Sequence, residues 1–199
     1  MYRSINNKLD QWKQFKAKIK QSQPKLGVCI QWTETLLGAL VIALILRQFV
    51  VQSSLVFSGS MIPTLRSASA NHLSDRLIVN KLVYHFNDPQ RGDIVLFHSP
   101  YNDGKQYVKR LIGLPEETVE IRRGMVYINN KLLVIPGVTI RRDYSSLNPI
   151  TIPKDHYFML GDNRSNSADS RVWGFVPKED LIGEALFIYW PFTRIRWVK

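Results

Sequence analysis

The most uniform stretch of the chain is Leu36–Leu46, eleven residues without a charge or a hydrogen-bonding side chain. It is apolar all round and not along one helical face, which predicts a helix surrounded by hydrocarbon or by protein. Crossing a bilayer takes about 20 residues at roughly 1.5 Å rise each, so the unbroken run alone is too short. Extended from Trp32 to Val51 it is long enough, with Arg47 near the far end where a long side chain can reach the headgroups. Past Val51 the pattern changes period. Short alternating runs separated by turn residues predict strands at Arg76–Val83, Asp93–Phe97, Gln106–Ile112, Thr118–Ile121, Met125–Ile128, Lys131–Ile135, Tyr157–Leu160 and Ala185–Trp190. Asn129-Asn130 reads as a hairpin turn, residues 136–153 as an irregular surface excursion, and helical periodicity is absent from this part. The expectation is a mainly β, largely antiparallel domain preceded by one N-terminal transmembrane helix.

Composition narrows the organisation. With 199 residues, 45% of them hydrophobic, the chain can bury one substantial core plus an appended segment, hardly two full domains. The net charge of +11 invites nucleic acid or an anionic membrane as a partner. Position favours the membrane and not nucleic acid: Arg3, Lys8, Lys13, Lys16, Lys18, Lys20 and Lys25 precede the apolar run, opposed within residues 1–31 only by Asp10. This excess on one flank predicts a basic cytoplasmic tail over 1–31, an uncleaved anchor over 32–52 and an extracytoplasmic domain over 53–199. A cleavable signal peptide fits less well, because the basic region is long and no Ala-x-Ala-like site follows the run. Cys29 is the only cysteine, so no intrachain disulfide forms, and no ligand spacing suggests a metal.

Candidate chemistry starts at Ser58-Gly59-Ser60-Met61-Ile62-Pro63-Thr64-Leu65. Small residues leave the Ser60 hydroxyl approachable, Pro63 stiffens the backbone, and Met61 and Leu65 can hold the turn against a core. By itself this is also ordinary turn composition. A serine nucleophile needs a base, and His72, His85, His98 and His156 all lack the local signature of a triad histidine. The Gly-x-Ser-x-Gly elbow is not satisfied either, since Ile62 stands at the second glycine position. Lys109 is a second candidate. In a strand it shares a face with Tyr107 and Leu111 while Arg110 points the other way. Burial among apolar side chains lowers a lysine pKa, and a fall from about 10.4 to about 8 costs on the order of 3 kcal/mol. A Lys-Arg pair on a solvated strand edge remains the alternative. A third stretch, Gly161 to Pro177, is dense in hydroxyls and opposite charges able to lock one another.

Taken together, four stretches resemble those of bacterial type I signal peptidases, the membrane-bound Ser-Lys proteases that remove signal peptides from exported preproteins. They are Ser58–Leu65, Arg91–Phe97, Tyr107–Pro115 and Gly161–Val176, in the family's order, and the likeness covers about residues 34–192. The resemblance implies an all-β catalytic domain of coiled β-sheet architecture, with Ser60 as acylating nucleophile and Lys109 as general base. It implies that Ser167 orients the Lys109 amine, and that the Ser58 hydroxyl and the Ser60 backbone N–H form the oxyanion hole. Arg110 with Asp162, and Asp169 with Arg171, match supporting ion pairs. Val56, Met61, Leu65, Tyr107 and Val108 match the substrate-binding surface for small side chains before the cut. No cofactor or metal is implied; the implied partners are secreted preproteins, membrane lipid and the nearby secretion machinery, in a bacterial cell membrane or an internal one. Glu116 and Ser165 depart from the commonest pattern, at positions away from the proposed catalytic atoms. Two rivals remain: a self-cleaving Ser-Lys peptidase, and a non-catalytic membrane-anchored binding module.

Overall fold

The structure, a computed structural model, describes residues 11–12, 14–18, 21–69, 73–101 and 103–198. Part of the basic tail, residues 1–10, 13 and 19–20, and also His72 therefore lie outside the described residues. The chain divides into two compact units, residues 1–48 and 49–199.

In the first unit a helix spans Pro24–Ile45 and continues as a π-helical turn, Leu46–Val50. Pro24 suits the first turn, where its missing N–H leaves no carbonyl unpaired. None of the Pro24–Ile45 side chains is buried within the protein. At 27 residues, Pro24–Val50 is, among the described residues, the one helix long and apolar enough to cross a membrane. It begins upstream of the apolar window read from Trp32, because residues 24–31 continue the same helix. Within this unit Glu34 accepts hydrogen bonds from the Trp12 indole and the Lys16 amine, at 2.7 Å each.

The second unit is built from two antiparallel sheets. Its strands are β1 (Val51–Leu55), β2 (Arg76–Asn80), β3 (Ile94–His98), β4 (Gln106–Gly113), β5 (Thr118–Arg122), β6 (Met125–Ile128), β7 (Lys131–Leu132), β8 (Leu147–Thr151), β9 (His156–Leu160), β10 (Val176–Pro177), β11 (Leu181–Trp190) and β12 (Arg196–Trp197). The larger sheet has the order β1-β2-β11-β3-β4-β9-β10, with β12 pairing β11; the smaller has the order β7-β6-β5-β8. Register shifts along β11 and between Leu111 and Gly113 of β4 add twist to the larger sheet.

Alternation explains which strands lie deepest. Ile94 and Leu96 of β3 join one apolar cluster while Val95 and Phe97 join another, so both faces of β3 are covered. On β9, Phe158 and Leu160 face a cluster shared with the small sheet, and Tyr157 and Met159 face the Phe97 side. The Asn129-Asn130 turn has φ of 49° and 63°, and positive φ at both central residues is what a tight hairpin between twisted strands needs.

Several elements differ from expectation, among them β1, β10 and β12, which the pattern does not predict. The run Arg76–Val83 is a strand only to Asn80, whose side chain accepts the Leu82 N–H and turns the chain into a single helical turn, Val83–Phe86. The predicted strand Lys131–Ile135 is regular only to Leu132; Leu133 still donates its N–H to the Val126 carbonyl, and Leu133 and Ile135 pack on the small-sheet cluster. The excursion 136–153 contains β8, obscured in sequence by Pro149. That proline is tolerated because β8 is an edge strand and Pro149 falls at its register shift against β5.

Phe158 has no exposed surface and anchors the junction of the two sheets. Phe158→Ala is expected to lower unfolding free energy by about 3–5 kcal/mol, read from urea unfolding of residues 49–199.

Candidate active site

Ser60 sits in a single 3-10 turn, Gly59–Met61, six residues beyond the strand position Ser54. The turn is pinned from behind. Met61 and Leu65 are 1% and 0% exposed in the cluster with Val56, Leu77 and Ile188, so the loop is nailed into the core on both sides of Pro63. From the other side Asn163 donates its backbone N–H to the Ser60 carbonyl at 2.9 Å and its side-chain amide to the Gly59 carbonyl at 3.0 Å. Gly161 permits this close approach: a Cβ there would lie 2.5 Å from the Ser60 carbonyl oxygen and 2.3 Å from Ser167 Oγ.

Lys109 reaches Ser60 from β4. Its Nζ lies 2.6 Å from Ser60 Oγ, and both residues are 5% exposed. Tyr107 and Leu111, its neighbours on the same strand face, belong to the apolar cluster with Phe97 and Met159. Burial pulls the Lys109 pKa down to about 8; the Asp169 and Asp162 charges oppose this, and Arg171 reinforces it. Ser58 Oγ is 3.1 Å from Ser60 Oγ, which groups two hydroxyls and one amine. The Ser167 hydroxyl is next to Gly161 and makes a long contact, 3.4 Å, with the Ala168 carbonyl; its distance to the Lys109 amine is not one of the hydrogen bonds of the site. His85 and His156 direct ring nitrogens to the Lys81 and Lys154 carbonyls, and His98 is exposed on its strand. None of these three hydrogen-bonds Ser60.

Two ion pairs hold the frame. Arg110, opposite in direction to Lys109, grips Asp162 through Nε at 2.8 Å and Nη2 at 2.7 Å, with both side chains 1% exposed. Arg110 also donates to the Gly92 carbonyl, and Asp162 takes the Thr64 hydroxyl from the nucleophile loop at 2.5 Å. Arg171 grips Asp169 at 2.8 and 2.9 Å, reaches Asp143 and Ser145, and donates to the Arg164 carbonyl. Arg164 is itself buried, donates to the Gly161 carbonyl, and is pulled by that burial to a pKa of about 10.

A groove of about 600 Å³ opens beside Ser60 and Lys109. Val56, Met61, Tyr107 and Val108 line it together with Ser54, Leu55, Phe57, Ser58 and Gly104–Gln106. Leu65 does not: it is wholly buried behind the loop, where it fills core instead of contacting a ligand. Phe57, 83% exposed at the groove, carries no signal in the sequence that separates it from a turn residue. Thr64, Asn163 and Asp143 also escape a reading of the sequence, since each acts through partners 28 to 104 residues away. Among the described residues no group of three or more His, Cys, Asp or Glu side chains could hold a metal ion.

A buried serine hydroxyl and a buried amine in contact, beside an open groove, are the parts of a serine hydrolase. The model of the family "Signal peptidase, peptidase S26" matches residues 29–190. The chain is 42% identical over 166 residues to a probable signal peptidase I-1 of Synechocystis sp., covering 80% of this chain and 81% of that protein. It is 35% identical over 193 residues to signal peptidase I T of Bacillus subtilis, covering 90% and 95%. A crystal structure of a signal peptidase I from Enterococcus faecalis, 39% identical, covers 49% of this chain and 97% of that one with a TM-score of 0.43. The chain belongs to the signal peptidase family, peptidase S26, and is a serine protease of its type I class.

Removing one member of the Arg110–Asp162 pair strands a buried charge. Asp162→Ala is expected to cost about 3–5 kcal/mol in chemical unfolding, and replacing both partners by Arg110→Met with Asp162→Leu is expected to recover most of that loss.

Proposed function

We propose that this enzyme cleaves signal peptides from exported preproteins through an acyl-enzyme on Ser60, with Lys109 as the general base. The observation that carries this reading is the 2.6 Å contact between Lys109 Nζ and Ser60 Oγ at a buried site. The neutral amine has a lone pair to accept the Ser60 proton as Oγ attacks the scissile carbonyl carbon. The resulting ammonium then protonates the leaving amine of the mature protein, and the C–N bond breaks to leave an ester on Ser60. Water attacks that ester, giving its proton to the again neutral Lys109, and the free acid and Ser60 hydroxyl are released.

Charge on the tetrahedral oxygen calls for donors already in place, and the Ser58 hydroxyl with the Ser60 backbone N–H fits that role. Their placement in one short segment, with the Ser58 and Ser60 hydroxyls 3.1 Å apart, supports it. Ser167, adjacent to Gly161 and hence to the Ser60 carbonyl, is the group assigned to orienting the amine once substrate is bound. Val56, Met61, Tyr107 and Val108 supply apolar walls for small side chains, consistent with Ala-x-Ala-like sites. The apolar helix Pro24–Val50 serves as anchor, with the basic N-terminal flank in the cytoplasm and the β domain on the far side of the membrane. Membrane lipid surrounds that helix, and the secretion machinery delivers the substrate nearby.

Only neutral Lys109 can take the proton, so a pKa depressed to about 8 sets the direction of the pH dependence. Below that value the acylation rate is expected to rise about tenfold per pH unit, and above it to level off. Single-turnover cleavage of a preprotein between about pH 5 and 9 reads this, and a flat profile contradicts a lysine base. Ser60→Ala and Lys109→Ala are each expected to lower acylation by at least about 10²-fold with folding intact by circular dichroism. Processing by either variant at the unmodified rate excludes the mechanism.

A further inference from the structure

Trp173 ends a one-turn helix, Ser170–Trp173, that is tied down at both ends. Asp169 caps the turn by accepting the Arg171 N–H, Ser170 Oγ accepts the Met159 N–H from β9, and Gly174, with φ of 85°, stops it. The turn therefore delivers the indole to one place. There it stacks on Tyr107 with ring centres 5.5 Å apart and planes 25° apart, and meets the rings of Phe97 and Tyr101 at 6.4 and 6.1 Å. Lys109 Nζ lies 5.9 Å from the centre of the same ring. Among the described residues the indole N–H is buried without a side-chain or backbone acceptor, an unfavourable state for a donor. A ring held against that cost is held by its faces, and one neighbour of those faces is the Lys109 amine.

We propose that Trp173 is a positioning residue for the reaction: its ring closes the Lys109 amine off from bulk water. The proposal rests on the reading of Lys109 as general base. Two effects of the ring on the amine have opposite signs. Attraction of an ammonium to the ring face raises the pKa, but at 5.9 Å the contact is at the outer edge of its effective range. Exclusion of water lowers the pKa and does not depend on centring over the ring, so it is the larger effect here. The other groups facing the amine are Asp169, Asp162 and Arg171 from the loop and the Ser60 hydroxyl, while the Tyr107 ring on its own strand packs in the adjoining apolar cluster. Opposite Lys109 on β3 stands Val95, and β9 adds Tyr157 to the same apolar cluster. The two carboxylates would draw the amine to its charged form; apolar cover, the larger effect, and the Arg171 charge oppose them. Trp173 is not among the residues lining the groove, although its stacking partner Tyr107 is, so the pH dependence and not affinity reads its effect on the amine.

The test is single-turnover cleavage of a preprotein by the full chain in detergent micelles, from pH 6 to 10, with Trp173→Ala, Trp173→Leu, Trp173→Phe and Lys109→Ala. Trp173→Ala is expected to move the midpoint of the rising limb up by about one unit or more, a loss of about tenfold at pH 7 that is recovered near pH 10, with KM little changed. Leu and Phe keep apolar cover and are expected to hold the midpoint. Should the alanine variant not fold, Trp173→Gln, which brings a hydrated group to the same place, is expected to give the upward shift. A midpoint that stays or falls in the alanine or glutamine variant, or a loss equal at all pH values, overturns the proposal. If Lys109→Ala retains activity the general-base reading fails; if it is inactive and the Trp173 variants leave the midpoint unmoved, only the role of Trp173 fails.

Discussion

Arg110 and Asp162 meet where β4, the nucleophile loop and the Gly161–Pro177 loop converge, and each of these pieces depends on the other two. The guanidinium spends its planar fork on both carboxylate oxygens and gives its remaining nitrogen to the Gly92 carbonyl, while the carboxylate also holds Thr64. With each side chain 1% exposed, water cannot replace a missing partner. The net gain from such a pair over an apolar core is small, so its consequence is geometric. Lys109 is the next residue on the strand, Thr64 is four residues past Ser60, and Asn163 beside Asp162 holds the Ser60 carbonyl. A shift in the ion pair is transmitted to all three.

The same strand has to satisfy two opposite demands on consecutive residues. Arg110 is buried as a cation and is fully matched by charge and hydrogen bonds. Lys109 is buried one residue earlier among rings and aliphatic side chains, where its charged form is penalised and the pKa falls to about 8. Strand alternation makes this possible, because adjacent side chains enter different environments less than 4 Å apart along the backbone. The surrounding β architecture serves this arrangement by covering both faces of β3 and most of β4.

Much of the fold was legible because period-2 alternation reports directly which residues face a core. The runs that became β5 and β6 carry it, those that became β3 and β9 are short continuous apolar runs covered on both faces, and the Asn129-Asn130 hairpin follows from the residue type that tolerates positive φ. What escaped was set by context. The strand at Leu147–Thr151 contains a proline that only an edge position admits, and Val51 and Gln52 read as the end of the anchor until β2 is there to pair with Val51–Leu55. Leu65 shows the limit of reading a site by analogy of position: Met61, four residues earlier, lines the groove, yet the Leu65 side chain points into the core.

By itself the sequence determined the apolar helix, the β character of the rest, the opposed directions of Lys109 and Arg110, and the four stretches that mark the family. These are properties of residue order and local period, which need no partner to be expressed. Only the tertiary structure decided that Lys109 lies 2.6 Å from a serine 49 residues earlier, and that Thr64 reaches Asp162 across 98 residues. It alone decided that Trp173, unremarkable in a polar loop, is laid against the amine. Those distances arise from packing three chain segments at once, and the burial they create, which is what shifts the lysine, belongs to no segment alone.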